Sequence, residues 1–292
     1  MKHIGIVGFG YVGKVMAKFF KDHYNVYVYD PAYWGESLDT FMAEHKSEYD
    51  GVAFVSEESK KAQLDACDLV VVCVPTPMSQ SGAADISVVE DTLSWLNSPL
   101  ILVKSTVPPG TIKRWVDDTG KGIAFSPEYV GESSYTTYWW KGHPDPTTMK
   151  THDFQIFGGE KRVTSQIIDI FKAVMGPEAK YLQTDSTTAE LAKYMENCFF
   201  ATKVTFCNEF FEIAQRLGVD YNELRELWLN DGRINRMHTV VFPDKRGFGG
   251  KCYPKDMNAM VKASESLGYT PKLLRQVLDS NNDFRKEQEN KH

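Results

Sequence analysis

The chain has 292 residues, 42% of them hydrophobic, and carries 39 Asp and Glu against 33 Lys and Arg for a net charge of −6. That balance supplies no basic footprint for nucleic acid or an anionic membrane, and no apolar run reaches the roughly 18 residues that span a bilayer. Five cysteines, an odd number without metal-ligand spacing, point to reduced thiols in a cytoplasmic setting with no metal site.

Met1 leads directly into an apolar run at 2–7 that ends in glycines, rather than into a signal sequence. Residues 15–20 belong to a helix and 25–29 to the next strand. Further strands are expected at 69–74, 100–103, 123–125 and 154–157, and their near-continuous apolar character suits a parallel sheet covered on both faces. Gly8-Phe9-Gly10-Tyr11-Val12-Gly13 follows the first strand and opens the first helix, the setting in which such a pattern binds a dinucleotide. Gly8 would make the tight turn, Gly10 admit a pyrophosphate, and Gly13 allow close packing of helix on strand. Asp30 closes the second strand, twenty residues after Gly10, where a carboxylate binds both ribose hydroxyls of NAD and repels the extra phosphate of NADP. NAD is the expected cofactor, and residues 1–183 are expected to form a doubly wound, Rossmann-type parallel α/β domain.

After residue 183 strands give way to helices. Thr184, Asp185 and Ser186 are candidate caps. Leu191, Met195, Cys198, Phe199, Thr202, Phe206, Phe210, Ile213 and Leu217 follow mostly three or four apart as far as Gly218, which predicts a single helix of about nine turns. Lys193, Asn197, Phe200, Val204 and Phe211 fall on another side, so burial on more than one face is expected, and with it a homodimer formed through the helix. Asp220 and Glu223 start a shorter helix, Pro254 and Pro271 open two more, and the polar stretch 281–292 reads as a frayed tail. Residues 184–292 are thus expected as a long central helix plus a small helical domain.

Chemistry-bearing residues gather at strand ends and in one loop. Cys73-Val74-Pro75-Thr76-Pro77, the segment from Lys104 through Ser105, Thr106 and Pro109 to Thr111, and Ser126-Pro127-Glu128-Tyr129-Val130-Gly131-Glu132 each follow a strand on the side where open parallel sheets bind ligands. Gly247-Phe248-Gly249-Gly250-Lys251-Cys252-Tyr253-Pro254-Lys255-Asp256 puts a thiol just ahead of a helix start. There the glycines let a ligand approach the main chain, unpaired N–H groups favour a thiolate, and Lys255 acts in the same direction. The other four cysteines read as inert small hydrophobes.

Taken in order with Glu190-Leu191-Ala192-Lys193-Tyr194-Met195-Glu196-Asn197, these segments resemble the UDP-glucose/GDP-mannose dehydrogenases over residues 2–260. The resemblance implies oxidation of a nucleotide-sugar primary alcohol, UDP-glucose foremost, to a carboxylate with two NAD+ in succession. It makes Cys252 the nucleophile that holds the aldehyde as a thiohemiacetal and then as a thioester. Lys193 would stabilise oxyanion charge, Asn197 hold sugar hydroxyls or a water, Asp256 with Thr106 order a water that assists proton removal, and Glu128 activate the hydrolytic water. Tyr11, Val12, Thr76, Thr106 and Glu132 join the cofactor set. Tyr129, Val130, Glu132, Phe248, Gly249 and Gly250 join the substrate set beside Glu128, Lys193 and Asn197. Arg233 is similar to a family arginine that reaches the substrate across a subunit interface; alternatively it pairs with Asp231. Family members typically continue for about another hundred residues into a second nucleotide-binding domain, the size of an ordinary domain. A hydroxyacid or 6-phosphogluconate-type dehydrogenase, which shares the N-terminal domain and a catalytic lysine on the long helix but needs no thiol, and a silent NAD-binding subunit left after loss of that second domain stand as the alternatives.

Overall fold

The computed structural model describes residues 1–130, 149 and 153–289, so Glu132 lies outside the described residues. Two compact units result: Met1–Pro77 with 85–130, 149 and 153–193, and Met78–Ala84 with 194–289. The division falls after Lys193, inside a helix, where the sequence reading placed it after residue 183.

In the first unit the described strands are β1 (His3–Val7), β2 (Asn25–Tyr29), β3 (Val52–Phe54), β4 (Leu69–Val72), β5 (Ile101–Val103), β6 (Ile123–Phe125), β7 (Phe154–Gly158) and β8 (Lys180–Thr184). They form one sheet in the order β3-β2-β1-β4-β5-β6-β7-β8. All pairs are parallel except β6 with β7, which meet antiparallel at Phe125 and Gly158. Alternation within β4 supplies both faces: Leu69 and Val71 enter the core with Ile4, Ile6 and Phe20, while Val70 and Val72 enter the core with Val7, Leu93 and Phe125. Helices α1 (Tyr11–Phe20), α2 (Glu36–His45), α3 (Lys60–Asp65), α4 (Ser87–Trp95), α5 (Thr111–Thr119) and α6 (Lys161–Met175) complete the doubly wound pattern. The strand order reverses between β1 and β4, so the turns after these two strands flank the switch point where such sheets bind ligands.

Helix α7 (Ser186–Leu217) runs as one element from the cap residues to Gly218. Asp185 accepts hydrogen bonds from Thr188 N at 2.9 Å and Thr188 Oγ1 at 2.6 Å, which anchors its start. Its buried side is Tyr194, Cys198, Ala201, Thr205, Asn208 and Ala214. Leu191, Met195, Phe199, Phe206, Phe210, Ile213 and Leu217 remain 41–75% exposed. The second unit adds α8 (Tyr221–Trp228), α9 (Tyr253–Ser266) and α10 (Lys272–Glu289). Cys198, Ala201, Phe248, Met257 and Val277 form one of its cores; Cys207, Ala214, Tyr221 and Val241 form another. The stretch expected as a frayed tail is instead helical to Glu289, because Val277, Leu278 and Asn281 turn the same side of α10 inward. No helix among the described residues is long and apolar enough to cross a membrane.

Candidate active site

The glycine turn has the geometry a dinucleotide requires. Gly8 stands at φ +91°, and a Cβ there would lie 2.7 Å from the Cys73 carbonyl oxygen at the end of β4. A Cβ on Gly13 would run into the Gly8 carbonyl oxygen, deep inside van der Waals contact, whereas one on Gly10 would find nothing within 4 Å. The outer glycines therefore bring turn, strand and helix together, and the middle one leaves room over the backbone at the start of α1. Asp30 closes the turn from β2: Oδ2 accepts from Phe9 N at 2.6 Å and Oδ1 from Ala32 N at 2.8 Å. The Phe9 ring is fully buried, with Tyr33, Phe41, Tyr49 and Phe54 edge-on around it. Tyr11 opens α1, Val12 packs into the core, and Thr76 is buried beyond β4.

Beyond β5 and β6 the same unit holds a buried ion pair that sequence alone did not single out. Lys104 Nζ, on a 1% exposed side chain, lies 3.2 Å from Glu128 Oε2 and donates to Ser126 Oγ at 3.3 Å. Glu128 Oε1 accepts from Tyr129 N at 2.9 Å and Val130 N at 2.7 Å. These two expected substrate contacts thus have their N–H groups engaged by the neighbouring carboxylate. Lys193 Nζ sits 4.9 Å from the centroid of the Tyr129 ring, a cation–π arrangement that holds this lysine beside the Glu128 segment. Thr106 is half-buried in the loop before α5.

Glu190 is a second residue whose importance the sequence did not reveal. Fully buried in the first turns of α7, it accepts from Gly110 N at 2.5 Å and Ile112 N at 2.9 Å and so caps α5. Burial outweighs these bonds and pushes its carboxyl from 4.5 up to about 7. Below 4.5 both folded and unfolded chains hold the proton; as pH rises through about 7 only the unfolded chain gains freely from ionising, so stability is lost across that window. Such a shift corresponds to about 3 kcal/mol. Denaturant melts at pH 5 and pH 8 are expected to show that loss in the wild type and a flatter profile in Glu190→Gln; parallel profiles would refute it.

In the second unit Cys252 is the N-cap of α9, with Pro254 in the first turn. It is exposed, whereas Cys67, Cys198 and Cys207 are buried, and no disulfide joins the five thiols. Burial pushes Cys67 and Cys198 up to about 12, and Cys73 and Cys207 upward as well, which fits the inert role expected of them. Asp256, 2% exposed, accepts from Asn197 Nδ2 at 2.5 Å, so two of the expected polar residues meet directly. Lys255 Nζ lies 2.6 Å from Asp256 Oδ1, so its charge is directed at this carboxylate. His238 is the described non-glycine residue with positive φ (61°). Its ring stacks on Phe200 with centroids 4.3 Å apart, and its Nε2 lies 2.7 Å from Tyr253 Oη. Burial pushes this imidazole down to about 4, so it is neutral at physiological pH.

Other expectations change in detail. The Phe248 ring is 3% exposed in the core because it fills the space between α7, α9 and α10, and its main-chain N–H and carbonyl oxygen are both bonded to the Asn281 amide. A Cβ on Gly249 would lie 2.6 Å from Arg285 Nη1; Gly250, at φ +76°, has open space around it. Arg233 is exposed and pairs through Nη2 with Asp231 Oδ2 at 2.5 Å, as the alternative reading had it.

Residues 187–283 match the model of the UDP-glucose/GDP-mannose dehydrogenase family, central domain, and residues 36–138 that of the same family's NAD binding domain. The chain is similar to UDP-glucose 6-dehydrogenase TuaD of Bacillus subtilis (strain 168), 28% identical over 96% of this chain and 63% of that one. It is similar to GDP-mannose 6-dehydrogenase of Pseudomonas savastanoi pv. phaseolicola, 29% identical over 74% and 51%. The chain thus spans about half to two thirds of the length of these curated relatives. Among solved structures, a UDP-glucose dehydrogenase from the hyperthermophilic archaeon Pyrobaculum islandicum superposes with a TM-score of 0.76 at 31% identity, covering 97% of this chain and 68% of that one. The chain belongs to the UDP-glucose/GDP-mannose dehydrogenase family.

Proposed function

We propose that this chain carries the catalytic groups for NAD-dependent oxidation of a nucleotide-sugar C6 alcohol to the carboxylate, with UDP-glucose the first substrate to try. The observation that carries it is the contrast among the thiols: Cys252 is exposed at the start of α9, near a buried Asn197–Asp256 pair, while three others are buried. NAD+, held by the Gly8 to Gly13 turn with Asp30 at the ribose and Thr76 and Thr106 nearby, would supply the hydride acceptor for both oxidations. Asp256 takes the hydroxyl proton through a water, and Lys193 stabilises the oxygen anion at C6. The Cys252 thiolate adds to the aldehyde carbon and the carbonyl oxygen takes up a proton, giving a thiohemiacetal that Asn197 helps to hold. The thiohemiacetal hydroxyl then returns its proton to Asp256 as the carbon loses its second hydride, leaving a thioester. Glu128 draws a proton from water as it attacks, the C–S bond breaks, and Cys252 leaves as thiolate from the new carboxylate. Arg233 is assigned to the substrate of a partner subunit, and the exposed stripe from Leu191 to Leu217 to the homodimer that would bring it there.

The test is to incubate the purified chain and NAD+ with UDP-glucose, UDP-galactose, UDP-N-acetylglucosamine or GDP-mannose and count NADH per sugar consumed, with size-exclusion chromatography alongside. Two NADH per UDP-glucose from a dimer is the expected result. One NADH per sugar supports a simple alcohol dehydrogenase, none with any sugar supports a silent subunit, and monomeric elution removes the dimer.

A further inference from the structure

The loop that bears Cys252 is held on its glycine side by two buried asparagines from different helices. Asn208, 2% exposed on α7, accepts through Oδ1 from Arg246 Nε at 2.6 Å and from Gly247 N at 3.1 Å, and its carbonyl oxygen accepts from Arg246 Nη2 at 3.0 Å. Asn281, 3% exposed on α10, closes a ring of two bonds on a single residue: Oδ1 accepts from Phe248 N at 2.6 Å and Nδ2 donates to Phe248 O at 3.1 Å. Gly247 has φ +71°, and a Cβ there would collide with Asn281 Oδ1, so glycine and amide are fitted to each other. With the Phe248 ring sunk in the core, the chain is fixed at 246, 247 and 248, just ahead of Gly250, whose φ of +76° and open surroundings give it freedom to turn. Cys252 follows as the N-cap of α9.

A buried amide is costly unless its hydrogen bonds are met, and once they are met it fixes the backbone it holds. We propose that Asn281, together with Asn208, is a positioning residue for Cys252: the two amides set the loop's path so that the thiol arrives at the N-terminus of α9, where N–H groups and the helix dipole favour its anion. The inference rests on the reading of Cys252 as the nucleophile, but its test needs neither sugar nor NAD+.

Alkylation by iodoacetamide, followed thiol by thiol with peptide mass spectrometry, separates a local effect from general loosening. In Asn281→Leu, Cys252 is expected to react about tenfold more slowly at neutral pH, as a thiol displaced from the start of α9 would. Cys67, Cys198 and Cys207 should stay protected. Asn281→Asp, which keeps the acceptor for Phe248 N, should recover part of the rate. An unaltered Cys252 rate in a variant whose buried thiols remain protected overturns the proposal. If Asn281→Leu opens the fold, visible as reaction of the buried thiols, Asn208→Ala decides the matter by the same criterion: a slowed Cys252 supports it and an unchanged one overturns it. Failure of the oxidation reading would show instead as a wild type that makes no NADH.

Discussion

Exchanging Cys252 for serine is expected to cut steady-state turnover by about a thousandfold or more, the scale on which an enzyme loses its covalent nucleophile. Serine keeps the size and the place at the start of α9, but its hydroxyl is far less acidic than a thiol, and the favourable setting there cannot make up the difference. Cys252 is not among the residues assigned to hold the cofactor, so NAD+ affinity should be unchanged. Wild-type protein quenched in acid during turnover should carry the mass of one acyl group on the peptide containing Cys252. The variant should carry none. Continued production of two NADH per sugar by Cys252→Ser would remove the thiol from the mechanism and favour a dehydrogenase of the hydroxyacid kind.

A methyl group on Gly13 should be nearly as damaging, by a route that involves packing alone. Its Cβ would press into the Gly8 carbonyl oxygen, and Gly8 cannot retreat, because it already stands at φ +91° against the Cys73 carbonyl. Helix α1 would have to lift from the turn, which is expected to destabilise the fold by about 2–4 kcal/mol and weaken NADH binding by about a hundredfold. Gly10→Ala offers the contrast. With nothing within 4 Å of its Cβ, it should melt close to the wild type, yet bind NADH more weakly because the methyl stands where the pyrophosphate approaches. Thermal melts and NADH fluorescence titrations measure both. If Gly13→Ala bound NADH as tightly as the wild type, the assignment of this turn as the cofactor cradle would be wrong.

What the sequence revealed follows what burial does to composition. β1, β2, β4, β5, β6 and β7 lie inside the sheet, and their apolar runs announce them. β3 and β8 are its two edges; β3 has three residues and β8 reads Lys-Tyr-Leu-Gln-Thr with its side chains half-exposed or exposed, so neither leaves a clear apolar signature. Helix α7 was readable from its caps to Gly218, but the apolar series that marked it is largely its exposed stripe, and the buried side is built from smaller and more polar residues such as Ala201, Thr205 and Asn208. The same blindness hid Asn281: a polar residue in a charged segment reads as surface until the loop at Gly247 and Phe248 closes on it. Cys252, Asp256 and Asn197 stand out as candidates in the sequence because they sit in short motifs with glycine, proline or helical spacing around them. Lys104 and Glu190 do not, since their partners are 24 and 78 or more residues away and only the fold brings those groups together.

The Lys104–Glu128 contact also constrains how this chain can change over generations. Deleting one member of so deeply enclosed a pair strands the other's charge, at about 3–5 kcal/mol, a large part of the 5–15 kcal/mol that holds a typical domain folded. Replacing both with oily side chains of matching volume avoids that cost but discards the carboxylate assigned to thioester hydrolysis. A lineage that needs the acid product is therefore locked at both positions, whereas one that has lost the chemistry can leave only by altering the two together.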